Sequence, residues 1–236
     1  MNRETPLRLP DGKPSLSTPG SPPAPVEAAN FPIEDRYHYR LSKRVFDLVV
    51  GGAILVLVVP VVPFVALMIR LDSPGPVFYL QERVGRGGKP FKFYKFRSMR
   101  ADADHVRGGL DGLNEQDGPV FKMKSDPRIT AVGQFLRRSS MDEIPQIINV
   151  LKGDMSIVGP RPPLPSEVAR YQPWHRRRLE VKPGITCLWQ IAGRSHIGFD
   201  EWMRLDMEYL RTRGFRVDLM IFLKTVPAVM ARRGAY

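Results

Sequence analysis

The chain has 236 residues, enough for one domain with appendages, and a formal charge of +12. Such a balance suits phosphorylated small molecules, anionic lipid or nucleic acid, and alone it separates none of them. The single cysteine, Cys187, excludes an intramolecular disulfide and a paired-cysteine zinc site, and the four histidines show no metal-ligand spacing, which leaves only an oxygen-bound cation open.

Residues 1–36 are rich in proline, with Pro22, Pro23 and Pro25 close together, and their apolar residues follow no period. Such a stretch buries too little surface to offset its ordering entropy, so a disordered tail is expected. No apolar run follows the start, so a signal peptide is not expected in these residues. From Leu48 to Ile69 there is no charged residue. That run meets the length of a membrane helix, about 20 apolar residues. It is too long and too uniformly apolar for a buried core helix to be preferred. Pro60 and Pro63 interrupt it and should bend it. Lys43 and Arg44 precede the run, and Arg70, Arg83, Arg86, Lys89 and Lys92 follow it. Positive flanks stay on the cytoplasmic side. A re-entrant helix-break-helix over residues 37–72, with Pro60 at the break, satisfies both facts. A plain spanning helix is the alternative.

Residues 73–236 are expected to form the globular body. Pro74-Gly75-Pro76 breaks the chain, and Val77–Leu80 and Phe91–Phe96 read as strands. The turn-rich Gly85–Gly88 between them predicts a hairpin. The glycines lack Walker A spacing and no GxGxxG follows a strand, so a mononucleotide or dinucleotide fold is excluded. Asp102–Asp117 is polar and reads as a helix end plus a loop. Ile129–Leu151 reads as helical with an interruption near Ser139-Ser140. Ser140 followed by Glu143 has the spacing of a capping box. That places Asp142 and Glu143 at a helix N-terminus, where the dipole favours their anionic forms. Pro160-Arg161-Pro162-Pro163, Lys182-Pro183-Gly184 and Gly193-Arg194 are loop signals that hold arginines at set places. Glu201–Leu210 and Val217–Met230 read as amphipathic helices. The second has a broad apolar face from Leu219 to Leu223, equally suited to a membrane interface and to a core. The expected fold class is α/β, mostly helical with a small β-hairpin, plus a re-entrant membrane helix and amphipathic interfacial helices.

The inventory of adjacent carboxylates and many arginines fits phosphoryl-group transfer better than acyl or hydride transfer. Arg161 and Arg194 are suited to bidentate phosphate contacts. Asp142 or Glu143 could hold Mg²⁺, which usually takes one or two carboxylates plus substrate phosphates. A carboxylate also attacks phosphorus to form an acyl phosphate. The plain reading stands beside this one: a Glu at a third helical position is most often a cap, and arginines are mostly solvated.

Several ordered motifs carry a family resemblance from about Lys43 to the C-terminus. They are Lys43-Arg44-Val45-Phe46-Asp47, Lys95-Phe96-Arg97-Ser98-Met99, Asp126-Pro127-Arg128-Ile129-Thr130, Ser140–Gln146, Asn149–Ser156, Val158–Pro162, Lys182–Thr186 and Gly193-Arg194. On these the chain resembles the bacterial sugar transferase family, the monotopic polyprenyl-phosphate phosphoglycosyl transferases. The resemblance implies that Asp142 is a nucleophile attacking the β-phosphate of a UDP-sugar, releasing UMP and holding the sugar phosphate covalently. A polyprenyl (undecaprenyl) phosphate would then take the sugar phosphate. It implies Glu143 as the Mg²⁺ ligand, and Lys95, Arg137, Arg161 and Arg194 as phosphate or nucleotide contacts. It places Pro60 on the proline that breaks the re-entrant helix. The setting implied is a bacterial inner membrane, with the catalytic body on the cytoplasmic face, and a homodimer is left open. Two positions depart from the pattern. Cys187 stands where glycine is common, which would strain the loop if φ there were positive. Val59 stands where some relatives carry serine before the proline. The sequence has no counterpart of the multi-span N-terminal region of larger relatives, although Ala231–Tyr236 ends like the exopolysaccharide enzymes, which favours a hexose phosphate. A non-enzymatic basic membrane scaffold is the alternative, but a scaffold has no need of the Asp142-Glu143 pair. Nucleic-acid binding is set aside for want of a recognisable module.

Overall fold

The computed structural model describes residues 31–33, 36–123, 125–192 and 197–230. Most of the expected tail, together with Gly193, Arg194 and residues 231–236, lies outside the described residues. Of the tail, the Phe31 carbonyl accepts from Arg177 Nη2 at 2.7 Å, and the Arg177 guanidinium lies 4.6 Å from the Phe31 ring centre. The disordered reading therefore does not extend to this contact.

The apolar segment forms α1 (Tyr37–Val58), a 3-10 turn (Val59–Val61) and α2 (Val62–Asp72). Pro60 falls within the 3-10 turn, as the position of the interruption requires. Pro63 cannot donate to the Val59 carbonyl, and the Val62 N–H takes its place. The mid-segment side chains are open, with Val56 and Leu57 more than 70% exposed and Phe64 69%. An apolar surface of that extent has no partner within the described residues.

Both ends of the segment are fastened to the same globular body. Near its start, α1 packs on α5 (Ile147–Lys152), where Gly51 lets the Leu151 side chain approach closely. Arg44 donates from Nη1 and Nη2 to the Val150 and Leu151 carbonyls, at 2.7 and 2.8 Å, and so satisfies the last turn of α5. Asp47 is buried, and its Oδ1 accepts from the Ser156 hydroxyl and the Ile157 N–H, both at 2.8 Å. Near its end, the buried Val65 and Ile69 of α2 pack with Phe96 and Leu136. Arg97 closes the last turn there, donating to the Ile69, Ser73 and Pro74 carbonyls. Lys43, Arg44 and Asp47 of the first motif and Arg97 of the second are thus bolts between helix and body.

The hairpin pairs β1 (Phe78–Val84) with β2 (Pro90–Phe96) in antiparallel register. The first strand runs on past Leu80 to Val84, because nothing breaks it before Gly85. Tyr79 faces Lys95, Gln81 faces Phe93 and Arg83 faces Phe91. Paired residues point to one face, so Tyr79, Gln81, Arg83, Phe93 and Lys95 share a side of the hairpin. After it come a short α3 (Ala103–Val106) and a 3-10 stretch (Arg107–Leu113), then α4 (Ala131–Arg138). Thr130 caps α4 by accepting from the Gly133 N–H at 3.0 Å.

The interruption near the serine pair is present, but Ser140 does not cap the turn after it. Its φ of 57° and ψ of 16° are left-handed, and its N–H donates to the Arg137 carbonyl at 3.0 Å. Ser140 therefore ends α4 as a left-handed stop. Ser139 adds to that ending, with its hydroxyl donating to the Phe135 carbonyl at 2.8 Å. Asp142 and Glu143 lie on a 3-10 turn, Met141–Gln146, that leads into α5. No capping box forms there.

The core lies between α1, α5, β3 (Ser156–Val158) and the C-terminal helices. β3 pairs in parallel with β4 (Gly184–Thr186) beyond α6 (Pro165–Ala169) and α7 (Pro173–Arg176). A side chain on Gly184 would overlap the Gly159 backbone nitrogen, so glycine permits the pairing. After α8 (Leu188–Ala192), α9 (Phe199–Thr212) turns Trp202, Met203, Met207 and Leu210 into the core at helical spacing. α10 (Phe215–Met230) buries Val217, Asp218 and Ile221 and leaves Leu219 and Leu223 exposed, so core packing claims one face of that helix. Cys187 is buried and is not at positive φ, since Ser140 is the one non-glycine residue with positive φ among those described. The strain foreseen at Cys187 is absent.

Candidate active site

The 3-10 turn after α4 lies across the hairpin face that carries Lys95. There Lys95 Nζ donates to Asp142 Oδ2 at 2.8 Å and stands 3.4 Å from Glu143 Oε1. One ammonium thus bridges adjacent carboxylates. The Asp142 side chain is 5% exposed and that of Glu143 36%. The inner carboxylate is held in place and the outer one meets solvent. Burial pushes the Asp142 carboxyl above the usual carboxylate range, Lys95 pulls it back, and the Glu143 charge raises it again.

Arg137, from the last turn of α4, adds a second cation. Its Nε donates to the Ser98 hydroxyl at 2.9 Å, and its charge also favours ionised Asp142. Gly133 makes this possible, because any side chain there would fall on the Ser98 carbonyl. Arg161 stands apart, in the proline loop after β3, with its guanidinium 5.6 Å from the Trp202 ring centre and Nη1 3.8 Å from Glu167 Oε1.

That loop is fixed through its carbonyls. Val158 O accepts from Lys43 Nζ at 2.8 Å, Pro160 O from Gly184 N at 2.9 Å and Arg161 O from Arg178 Nη2 at 2.9 Å. Pro162 O accepts from Arg83 Nη1 at 3.0 Å and Pro163 O from Val84 N at 2.9 Å. Prolines bring acceptors without donors, so the loop draws its partners from elsewhere. Lys43, Arg83 and Arg178 supply three of them. Arg178 is itself buried against Asp206, 2.7 Å away.

The structure therefore gathers Lys95, Arg137, Asp142 and Glu143, and places Arg161 on a neighbouring loop. Arg194 is outside the described residues, and Pro60 lies in the 3-10 turn of the apolar segment, away from this group. Sequence reasoning missed Arg83 and Arg178 as parts of this framework. Arg83 could have been found from its alternation with Gln81 and Tyr79 once β1 was extended.

No cluster of three or more acidic, histidine or cysteine residues with metal-binding geometry occurs among the described residues. The protein would thus offer Mg²⁺ the Asp142 and Glu143 oxygens, with the rest of its shell from phosphate and water. That donor set fits a cation that usually binds in this way. Glu143, the more exposed of the two, is the residue suited to hold it.

Comparison with known proteins places the bacterial sugar transferase family on residues 38–232. Galactosyl transferase CpsE of Streptococcus agalactiae serotype III is 46% identical over 202 residues, covering 85% of this chain and 44% of its own length. UDP-glucose:undecaprenyl-phosphate glucose-1-phosphate transferase of Escherichia coli K12 is 42% identical, over 84% of this chain and 42% of its own. Exopolysaccharide production protein ExoY of Rhizobium meliloti is 36% identical, over 83% of this chain and 88% of its own. The chain thus spans less than half the length of the streptococcal and E. coli relatives and most of the rhizobial one.

Proposed function

The chain belongs to the bacterial sugar transferase family, and from that premise we propose that it moves a sugar 1-phosphate from a UDP-sugar to a polyprenyl phosphate. The observation that carries this reading is the Asp142-Glu143 pair bridged by Lys95, with Asp142 buried and Glu143 open.

In the first step an Asp142 carboxylate oxygen attacks the β-phosphorus of the UDP-sugar. The bond from that phosphorus to the bridging oxygen breaks, and UMP leaves with the electron pair. Asp142 then carries the sugar phosphate as an acyl phosphate. In the second step a phosphate oxygen of the lipid attacks the same phosphorus and releases the Asp142 carboxylate. Lys95 and Arg137 favour the anionic form of Asp142 against its burial and would face the charge on the phosphoryl oxygens. Glu143 would hold Mg²⁺, which supplies neutralising charge to those oxygens when bound. The names of relatives, which mention galactose and glucose, favour a hexose as cargo.

The lipid acceptor requires a membrane. We read residues 37–72 as re-entering the bilayer from its cytoplasmic side, since both ends are fastened to one body and the open apolar surface lies between them. Such a segment would put the catalytic body at the cytoplasmic face of a bacterial inner membrane, where UDP-sugars and lipid phosphate meet. The test is to incubate detergent-solubilised protein with undecaprenyl phosphate and a panel of UDP-sugars, and to measure UMP release with and without Mg²⁺. Mg²⁺-dependent release with at least one UDP-hexose, lost in Asp142→Asn, is expected. Full release by Asp142→Asn would overturn the assignment.

A further inference from the structure

The short segment ahead of α1 has no part in the chemistry above, yet it is seated on the globular body. Phe31 and Ile33 are half-buried and pack against the main core, while Pro32 between them is exposed. The grip is on Arg177. Its Nη2 donates to the Phe31 carbonyl at 2.7 Å, and its guanidinium stands 4.6 Å from the centre of the Phe31 ring. One side chain thus holds both the backbone and the ring of one residue. A guanidinium over an aromatic face is attracted by the ring quadrupole, more strongly where water is partly excluded. The Arg177 side chain is 22% exposed. Pro32 disfavours helical backbone at Phe31, so the segment has less freedom to lose on docking.

Arg177 opens the 3-10 turn Arg177–Glu180, and there the N-terminal segment meets the framework of the site. Arg177 Nε donates to Glu180 Oε1 at 3.0 Å, which ties the two ends of the turn together. The Glu180 carbonyl accepts from Arg86 Nε at 3.1 Å, which ties the turn to the glycine turn of the hairpin. The next residue, Arg178, holds the proline loop: its Nη2 donates to the Arg161 carbonyl at 2.9 Å. Consecutive residues of one turn therefore grip the N-terminal segment and the loop. A four-residue 3-10 turn has poor internal hydrogen bonds, so its position depends on such tethers.

We propose that Phe31-Pro32-Ile33 is a strap that holds the Arg177–Glu180 turn and, through Arg178, the proline loop, which makes Phe31 and Arg177 positioning residues for the transfer site. Only the last clause rests on the phosphoryl-transfer reading. Without the strap the turn loses one of its tethers, and the Arg178 backbone moves more freely. The Arg161 carbonyl then loses part of its hold, although no residue of the loop has changed. Phe31 and Arg177 act through Arg178 and not on the reacting groups.

The test reads hydrogen exchange, which needs no catalysis. The Val84 and Gly184 amides donate to the Pro163 and Pro160 carbonyls at 2.9 Å each, so their exchange reports how firmly the loop is held. In the detergent-solubilised full chain, Phe31→Ala should raise both rates roughly threefold or more, the scale of a lost cation–π contact. The Val132 amide, held by Asp72 Oδ2 at the start of α4, should keep its wild-type rate. Phe31→Tyr keeps the ring and should restore wild-type exchange. Arg177→Ala also loses the tie to Glu180 and should raise the rates at least as much, and Phe31→Ala added to it should change them little further. In steady-state transfer, Phe31→Ala should raise the KM for the UDP-sugar at least about twofold at unchanged kcat, and Phe31→Tyr should bring it back. Wild-type exchange at Val84 and Gly184 in Phe31→Ala would overturn the proposal. An equal rise at Val132, additive effects in the double variant, or an unchanged KM would overturn it as well. If Arg177→Ala proves unfolded in thermal melts, Phe31→Ala decides. Faster exchange in a chain that transfers no sugar would overturn the transferase reading alone, and wild-type exchange in a chain that does transfer it would overturn this one alone.

Discussion

Asp47 gives the sharpest structural prediction, because one carboxylate oxygen serves two buried donors. Asp47 is 2% exposed, and its Oδ1 accepts from the Ser156 hydroxyl and the Ile157 N–H at 2.8 Å each. In Asp47→Ala both donors lose their acceptor. A buried donor left unsatisfied costs about 1–3 kcal/mol, so the pair amounts to about 2–6 kcal/mol. Removing a buried carboxylate also relieves its desolvation, which offsets part of that cost. Asp47→Asn shares the relief and keeps the acceptor oxygen, so the difference between the two variants isolates the hydrogen bonds. At about 2–4 °C per kcal/mol for a chain of this size, Asp47→Ala should melt at least about 4 °C below Asp47→Asn in detergent. Activity should fall with it, since Ser156–Val158 leads directly into the loop carrying Arg161. If the two variants melt within about 1 °C of each other, the bolt between α1 and β3 carries no such load.

Other expectations concern the site and the apolar segment. Lys95 lowers the Asp142 pKa against the effect of burial, so in Lys95→Met the acid limb of the pH–rate profile should move to higher pH. An acid limb at the wild-type position would show that Lys95 does not tune Asp142. Gly133→Ala places a methyl on the Ser98 carbonyl and should push α4 away, lowering stability by about 1–3 kcal/mol and the rate with it. A wild-type melting curve and rate would contradict that packing. With Ser42→Cys or Ser73→Cys in a Cys187→Ala background, an impermeant thiol reagent should label neither site in intact spheroplasts and both after lysis. Labelling of Ser42→Cys in intact spheroplasts would show a spanning helix.

The parts legible in the sequence were those set by local chemistry. The glycine turn announced the hairpin, and the uncharged run announced α1 and α2. The Asp142-Glu143 pair, which Lys95 bridges, was singled out through its motif. Contacts between distant residues were not legible. Arg44 and Asp47 stood out as motif residues, yet their partners lie 106 to 110 residues away. β3 and β4 are three residues each, too short for alternation to register. Ser140 was misread because a serine three residues before a glutamate also suits the end of the preceding helix, and only its positive φ separates the two roles. Arg83 was passed over as a positive flank because the first strand was ended at Leu80, although no breaker stands before Gly85.

The most direct measurement is intact-protein mass spectrometry after mixing the chain with a UDP-hexose and Mg²⁺ in the absence of lipid phosphate. The account predicts a gain equal to one hexose phosphate, mapped to the peptide containing Asp142, with an equal amount of UMP released. Addition of polyprenyl phosphate should then discharge it. No adduct, with UMP appearing only once the lipid is present, would contradict the covalent route and favour direct transfer between the two substrates.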